Sequence, residues 1–309
     1  MILLPPYLRP GDTIAIVCPA GYMPMENAQT CIATLRQWGY GVKTGPTLGG
    51  DSNNYFSGSD EERLADLQQM LNDPDVKAIL CGRGGYGLTR IIDRIDFTCF
   101  RAIPKWIIGY SDITLLHAHI EANFGIATLH APMASAFNDG GADGPDVQSL
   151  RMALEGKDLS YSCDPHPLNR VGQGRAVVAG GNLAMLAHLI GTPSAAPTAG
   201  KILFIEDVGE YLYNVDRMFR QLRRSGRLDR LAGLIVGSFT DSKDTVRPFG
   251  ATAEEIIRDV IRDFDYPVCF GFPVGHDVGN VALRAGVPHR LSITEESVSL
   301  YCPGGGTTS

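Results

Sequence analysis

AILCGRGGYGLTR, residues 78–90, places four glycines within six positions directly after an apolar run. Spaced as Gly82-x-Gly84-x-x-Gly87, they match the dinucleotide-binding fingerprint, in which backbone N–H groups at the end of a parallel strand cradle a phosphate. What the loop does depends on whether it ends a parallel strand, and the flanking sequence answers that. From residue 12 to about 155, short β-branched runs alternate with longer helical patterns. DTIAIVCPA precedes NAQTCIATLRQWG, YGVKTGP precedes SDEERLADLQQMLND, VKAILCG precedes LTRIIDRID, KWIIGYSD precedes ITLLHAHIEANFG, and IATLHAPM follows. Such alternation predicts parallel strands with helices on both faces, a Rossmann-like or flavodoxin-like α/β domain. Ser59 and Glu62 form a capping-box pattern at the start of the second helix, in agreement with the period.

The texture then changes. Residues 138–146 (NDGGADGPD) and 160–174 (SYSCDPHPLNRVGQG) are rich in turn formers, and the second reads as a linker. The expected organisation is an N-terminal domain over 1–160, a linker over 161–175 and a C-terminal mixed α/β domain over 176–309. That second part reads as strand RAVVAGG, helix NLAMLAHLIG, strand KILFIED, helix NVDRMFRQLRRSG, strand LAGLIVGSF, helix ATAEEIIRDVIRDF and strand PVCFGFPVGHD. A terminal hairpin, HRLSITEESVSLYC, turns at Glu295 and Glu296.

Composition narrows the function classes. At 309 residues the chain exceeds the size at which one hydrophobic core stops growing, and 44% hydrophobic with 20% charged residues suits a folded protein. A net charge of −7 argues against a nucleic-acid partner, and the basic run RQLRRSGR at 220–227, flanked by Asp216 and Asp229, reads as a solvated helix end. The start, MILLPPYLRPGDTIAIVCPA, lacks the basic n-region of a signal peptide. The apolar stretch VVAGGNLAMLAHLIG is too short to span a bilayer, so the expectation is a cytoplasmic protein without membrane contact. Seven cysteines with no C-x-x-C pair suggest core thiols. His117 and His119 stand two apart on a helix and point in different directions, so no metal site is expected.

In a parallel sheet, ligands sit beyond the carboxyl ends of the strands, and three places there could carry chemistry. The first is the glycine loop. The second is WIIGYSDITLLH, where Ser111 falls on an abrupt strand-to-helix turn: half of a G-x-S-x-G elbow, although Ser-Asp after a strand is more often a helix N-cap. The third is a pair of candidate partners, Glu206 at the end of KILFIE and His276 in GFPVGHDVGN. A serine nucleophile needs a histidine to take its proton and a carboxylate to hold that ring, although a lone loop histidine is also an ordinary surface residue.

Together, GRGGYG, GYSDIT, AGGNLAML, LFIEDVGEYLYNVDRM and FGFPVGHDVGN, in this order and at these separations, resemble the LD-carboxypeptidases, the murein tetrapeptide carboxypeptidase family. The resemblance covers essentially the whole chain. It implies a Ser-Glu-His triad at Ser111, Glu206 and His276, with the nucleophile on the N-terminal domain and the acid and base on the C-terminal one. It also implies a serine peptidase of peptidoglycan recycling that releases D-alanine from murein tetrapeptides, without a cofactor, and a homodimer. The oxyanion would be held by the N–H of Asp112 and that of Gly84 or Gly85, because a backbone without Cβ approaches the reacting carbonyl closely. Arg83 either pairs with the substrate's terminal carboxylate or is a surface arginine. Asn182 either touches substrate or caps its helix. Glu210, Asp216 and Arg217 either line the substrate or form ion pairs.

Two other readings stand beside this one. A nicotinamide-dependent (NAD or NADP) oxidoreductase would use the glycine loop for pyrophosphate and Asp112, 25 residues past Gly87, for the ribose; the loop then follows the third strand where the fingerprint expects the first. A microcin-immunity-like hydrolase of peptidyl-nucleotides would share the triad but use a tryptophan on an elongated loop, whereas the tryptophans here are Trp38 and Trp106. A non-catalytic two-domain binding protein would fit the same lobes.

Overall fold

The structure, a computed structural model, describes residues 2–305. In chain order its first half runs β1 (Thr13–Val17), α1 (Gln29–Gln37), β2 (Gly41–Thr44), α2 (Asp60–Asn72), β3 (Val76–Cys81), α3 (Thr98–Ala102), β4 (Trp106–Gly109), α4 (Thr114–Phe124), β5 (Thr128–His130) and α5 (Pro145–Leu154). The second runs β6 (Leu159–Cys163), β7 (Gly172–Asn182), α6 (Leu183–His188), β8 (Ile202–Val208), α7 (Leu212–Arg224), β9 (Gly233–Thr240), α8 (Ala253–Val260), β10 (Val268–Phe270), β11 (Leu283–Ala285), β12 (Pro288–Ile293) and β13 (Val298–Cys302).

Five parallel strands form the first sheet in the order β2-β1-β3-β4-β5, the flavodoxin-like order. Period-two alternation decides what each face buries. Ile14, Ile16, Leu80, Trp106 and Ile108 pack with α1 and α5 on one side, whereas Ala15, Val17, Ile79, Cys81 and Ile107 pack with α2 and α4 on the other. The capping box at α2 forms as its sequence predicts: Ser59 Oγ accepts from the Glu62 N–H, and Glu62 returns the bond to the Ser59 N–H.

The second sheet, β10-β9-β8-β7-β12-β13-β6, is parallel from β10 to β7 and antiparallel beyond it. Leu203, Ile205, Leu234 and Val236 face α7 and α8. Ile202, Phe204 and Ile235 pack instead with Leu291, Ile293, Val298 and Leu300 of the terminal hairpin. Arg220 and Arg223 of the basic run pair with Asp259 and Asp263, so α8 and the residues just after it supply its counter-charge.

Three features depart from the sequence expectation. LTRIIDRID is not a helix but two short 3₁₀ turns, Leu88–Arg90 and Ile92–Arg94, which bury Leu88, Ile91 and Ile92 together before α3. The turn-rich stretch after 160 begins inside β6, which pairs with β13, and only 164–171 connects strands. The chain also returns to the first sheet at β11, which pairs antiparallel with β5.

Candidate active site

Ser111 opens the turn between β4 and α4 at φ +64°, a left-handed conformation uncommon for a residue with a side chain. Such strain persists where the surroundings over-determine it, and at the end of a parallel strand it pushes the serine hydroxyl out of the sheet toward a helix N-terminus. The surroundings here are tight. A Cβ on Gly84 would lie 2.9 Å from Ser111 Cβ and 3.1 Å from its Oγ, so only glycine brings this loop so close. The loop is itself fixed, because the Gly82 N–H donates to Val17 O at 2.7 Å and the Gly21 N–H donates to Gly84 O at 2.9 Å. Among the described residues, the N–H groups of Gly84, Gly85 and Asp112 have no backbone acceptor.

Glu206 extends the Ile202, Phe204 face of β8 and is fully buried. Its Oε2 accepts from His276 Nδ1 at 2.6 Å. A carboxylate there favours the tautomer that carries its hydrogen on Nδ1. Gly275 permits the contact, since a Cβ at its φ of +130° would meet Ser238 Oγ and lie 2.9 Å from Glu206 Cβ. The Gly275 N–H donates to Asn280 Oδ1 at 3.0 Å, and His130 Nε2, from the end of β5, bonds the same oxygen at 3.2 Å. Tyr110, next to Ser111, meets the His276 ring edge-on with centroids 4.8 Å apart. Through this ring contact the His276–Glu206 pair lies beside the turn that carries Ser111. Among the described residues no hydrogen bond joins Ser111 Oγ to His276, and such nucleophile–base contacts characteristically tighten when substrate arrives.

The other candidates fall differently. Asp112 is buried, which pushes its carboxyl up to about 6, and its Oδ2 accepts from the Leu88 N–H at 2.9 Å. The acid that a nicotinamide reading needs is therefore turned into the protein. Asn182 caps α6: its Oδ1 accepts from the Met185 N–H and its Nδ2 donates to Asp207 Oδ1 at 2.8 Å. Asp207 is in turn pushed up to about 6 by burial. Asn182 also ties β7 to the start of α4, three residues after Ser111, since its N–H donates to Thr114 Oγ1 at 3.1 Å. Arg83 is exposed and donates to Tyr22 O at 2.8 Å. Glu210 accepts from Asn214 Nδ2 at 2.5 Å, Asp216 pairs with Arg220, and Arg217 lies over the Tyr213 ring. His117 and His119 diverge, to Gly109 O and Ser194 Oγ. Among the described residues, no three His, Cys, Asp or Glu side chains are grouped to hold a metal, and no helix is long and apolar enough to cross a membrane.

Sequence reasoning misses His130, Asn280 and the fully buried Arg63 of α2. Each has a partner far away in sequence, 150 residues in the case of His130 and Asn280 and 44 in the case of Arg63 and Pro19, and no local pattern marks such a contact.

Both halves of the chain are similar to known proteins. Residues 14–131 match the LD-carboxypeptidase N-terminal domain, and residues 175–291 match the LD-carboxypeptidase C-terminal domain. The chain is 37% identical to the Bacillus subtilis (strain 168) protein named "Probable murein peptide carboxypeptidase", over 95% of this chain and 92% of that one. It is similar in structure to the muramoyltetrapeptide carboxypeptidase from Oxalobacter formigenes, with a TM-score of 0.85 and 29% identity over 96% of this chain and 100% of that one. It is 25% identical to the Escherichia coli microcin C7 self-immunity protein MccF, over 96% of this chain and 95% of that one. Matched in both halves and more than a third identical to a relative along nearly its whole length, the chain belongs to the LD-carboxypeptidase family and is a carboxypeptidase.

Proposed function

We propose that the chain is a cytoplasmic serine LD-carboxypeptidase that removes the terminal D-alanine from murein tetrapeptides during peptidoglycan recycling, acting as a homodimer. Residues 1–160 carry the nucleophile and 176–309 carry the acid and base. The observation that carries the reading is the 2.6 Å contact of His276 Nδ1 with the buried Glu206, on a ring that packs against Tyr110, the neighbour of a serine held at φ +64°. The names of the Bacillus and Oxalobacter relatives support the substrate class.

The chemistry follows from these positions. His276 Nε2 takes the Ser111 proton as Oγ attacks the carbonyl of the L,D-peptide bond, and Glu206 compensates the imidazolium. The oxyanion meets the N–H groups of Asp112 and of Gly84 or Gly85; losing one such donor typically costs about 3 kcal/mol of barrier. His276 then gives the proton to the departing D-alanine amine, and water repeats the cycle on the acyl-enzyme.

The relationship to MccF supports a second reading, hydrolysis of a peptidyl-nucleotide by the same triad. The test is incubation with L-Ala-γ-D-Glu-meso-diaminopimelyl-D-Ala and, separately, with a peptidyl-nucleotide. Free D-alanine from the first, with the second intact, is the expected result. Cleavage of the second alone would replace the substrate assignment.

A further inference from the structure

One peptide unit beside the nucleophile is gripped at both poles by buried charges. The unit joins Gly87 to Leu88 at the end of the glycine loop. Its carbonyl oxygen accepts from Arg63 Nη1 at 3.1 Å, and its N–H donates to Asp112 Oδ2 at 2.9 Å. Arg63 is fully buried and Asp112 is 1% exposed. A cation at the oxygen end and an anion at the hydrogen end are both favourably placed on the peptide dipole, and each bond is charge-assisted.

Arg63 also ties in the neighbouring turns. Nη1 donates to Pro19 O at 2.7 Å, Nε donates to Gly58 O at 3.3 Å, and Nη2 pairs with Asp60. Pro19 belongs to the loop after β1, whose Gly21 N–H holds Gly84 O, so Arg63 braces that loop as well. The glycine loop is thus fixed at its start by Gly82, in its middle by Gly84 and at its end by Gly87–Leu88. Only the last fixing uses ionisable side chains. Burying two charges is costly unless both are paired and hydrogen-bonded, and here both are directed at the loop that faces Ser111.

We infer that Arg63 and Asp112 are positioning residues for the oxyanion hole: by clamping the Gly87–Leu88 peptide they keep the Gly84 and Gly85 N–H groups aimed at the carbonyl on Ser111. The inference rests on the reading of Ser111 as nucleophile. Asp112 has a double part, since its own N–H is one donor and its carboxylate fixes the loop that supplies the other. A shift of this residue moves both donors at once.

The test uses Asp112→Asn and Arg63→Gln in the full chain, with D-alanine release from the murein tetrapeptide as the assay. A positioning role predicts that kcat falls about tenfold or more while KM stays within about threefold, because the lost interactions belong to the transition state. Affinity for a peptide boronate, whose tetrahedral adduct on Ser111 uses the same donors, should fall in parallel with kcat. Affinity for the intact tetrapeptide, measured in a Ser111→Ala background, should stay within about threefold. A smaller drop in kcat, or a loss of tetrapeptide affinity equal to the loss in kcat, would overturn the inference in favour of a purely structural clamp. If Asp112→Asn does not fold, as judged by circular dichroism, Arg63→Lys makes the same comparison, keeping the charge but losing the fork. Failure of the underlying reading looks different: the wild-type chain itself would release no D-alanine, or the boronate would not block Ser111.

Discussion

His276 is oriented from three sides, and two of the contacts make separate predictions. Glu206 holds its Nδ1, Tyr110 packs on its ring, and Asn280 fixes the Gly275 N–H just before it. In the proposed mechanism, replacing Glu206 with Gln removes the charge that compensates the imidazolium. The expected result is a kcat lower by roughly 10²–10⁴ with the fold retained, checked by steady-state kinetics beside a circular dichroism spectrum. Asn280→Ala leaves both the Gly275 N–H and His130 Nε2 without their shared acceptor. It should lower kcat about tenfold and reduce the melting temperature, since each orphaned buried group costs about 1–3 kcal/mol. At this scale the proposed triad can be read from the sequence because strand ends in a parallel sheet are few, and Ser111, Glu206 and His276 each follow an apolar run. The supporting residues are not legible. Arg63 sits in an ordinary charged helix pattern, and its role exists only once Pro19, Gly58 and Gly87 fold around it.

Among elements, β11 does most to join the two halves of the chain. It leaves the second half for three residues, pairs with β5, and carries the fully buried Arg284. The guanidinium donates to Ala153 O at 3.1 Å and Lys157 O at 2.7 Å, at and just beyond the C-terminal end of α5, where a cation meets the carbonyls of the last turn and the negative end of the helix dipole. Arg284→Met should therefore destabilise the protein by about 3 kcal/mol or more, through carbonyls left without donors, and chemical denaturation measures this directly. The long elements are legible because ten or more residues repeat a clear period and two of the helices begin at capping boxes. A three-residue strand has no period to read. LTRIIDRID misleads for a related reason: its apolar residues at 88, 91, 92 and 95 fit an α-helix and successive 3₁₀ turns equally well.

For the whole molecule, burial of titratable groups links stability to pH. Burial holds His117 down to about 4, His130 to about 3 and His289 to about 4, against 6.5 for a free ring. Between about pH 6.5 and 4 the unfolded chain binds protons that the folded chain refuses, so these rings withdraw stability as pH falls. Asp112 and Asp207, raised by burial to about 6, act in the opposite sense: between about pH 6 and 4 the folded state holds the extra proton and gains stability on acidification. Substitution separates the two contributions. The deficit in melting temperature of His130→Asn relative to wild type should shrink as pH falls from 6.5 to 4; a deficit that stays constant would mean that the ring is not held neutral. The central claim is that Ser111 is the nucleophile of a carboxypeptidase whose site is assembled from both sheets. Its most direct test is the rate of D-alanine release from L-Ala-γ-D-Glu-meso-diaminopimelyl-D-Ala by wild type and by Ser111→Ala, both verified as folded. The account predicts turnover by the wild type and loss of all but residual activity in the variant. Release by Ser111→Ala at a rate near that of the wild type would contradict it.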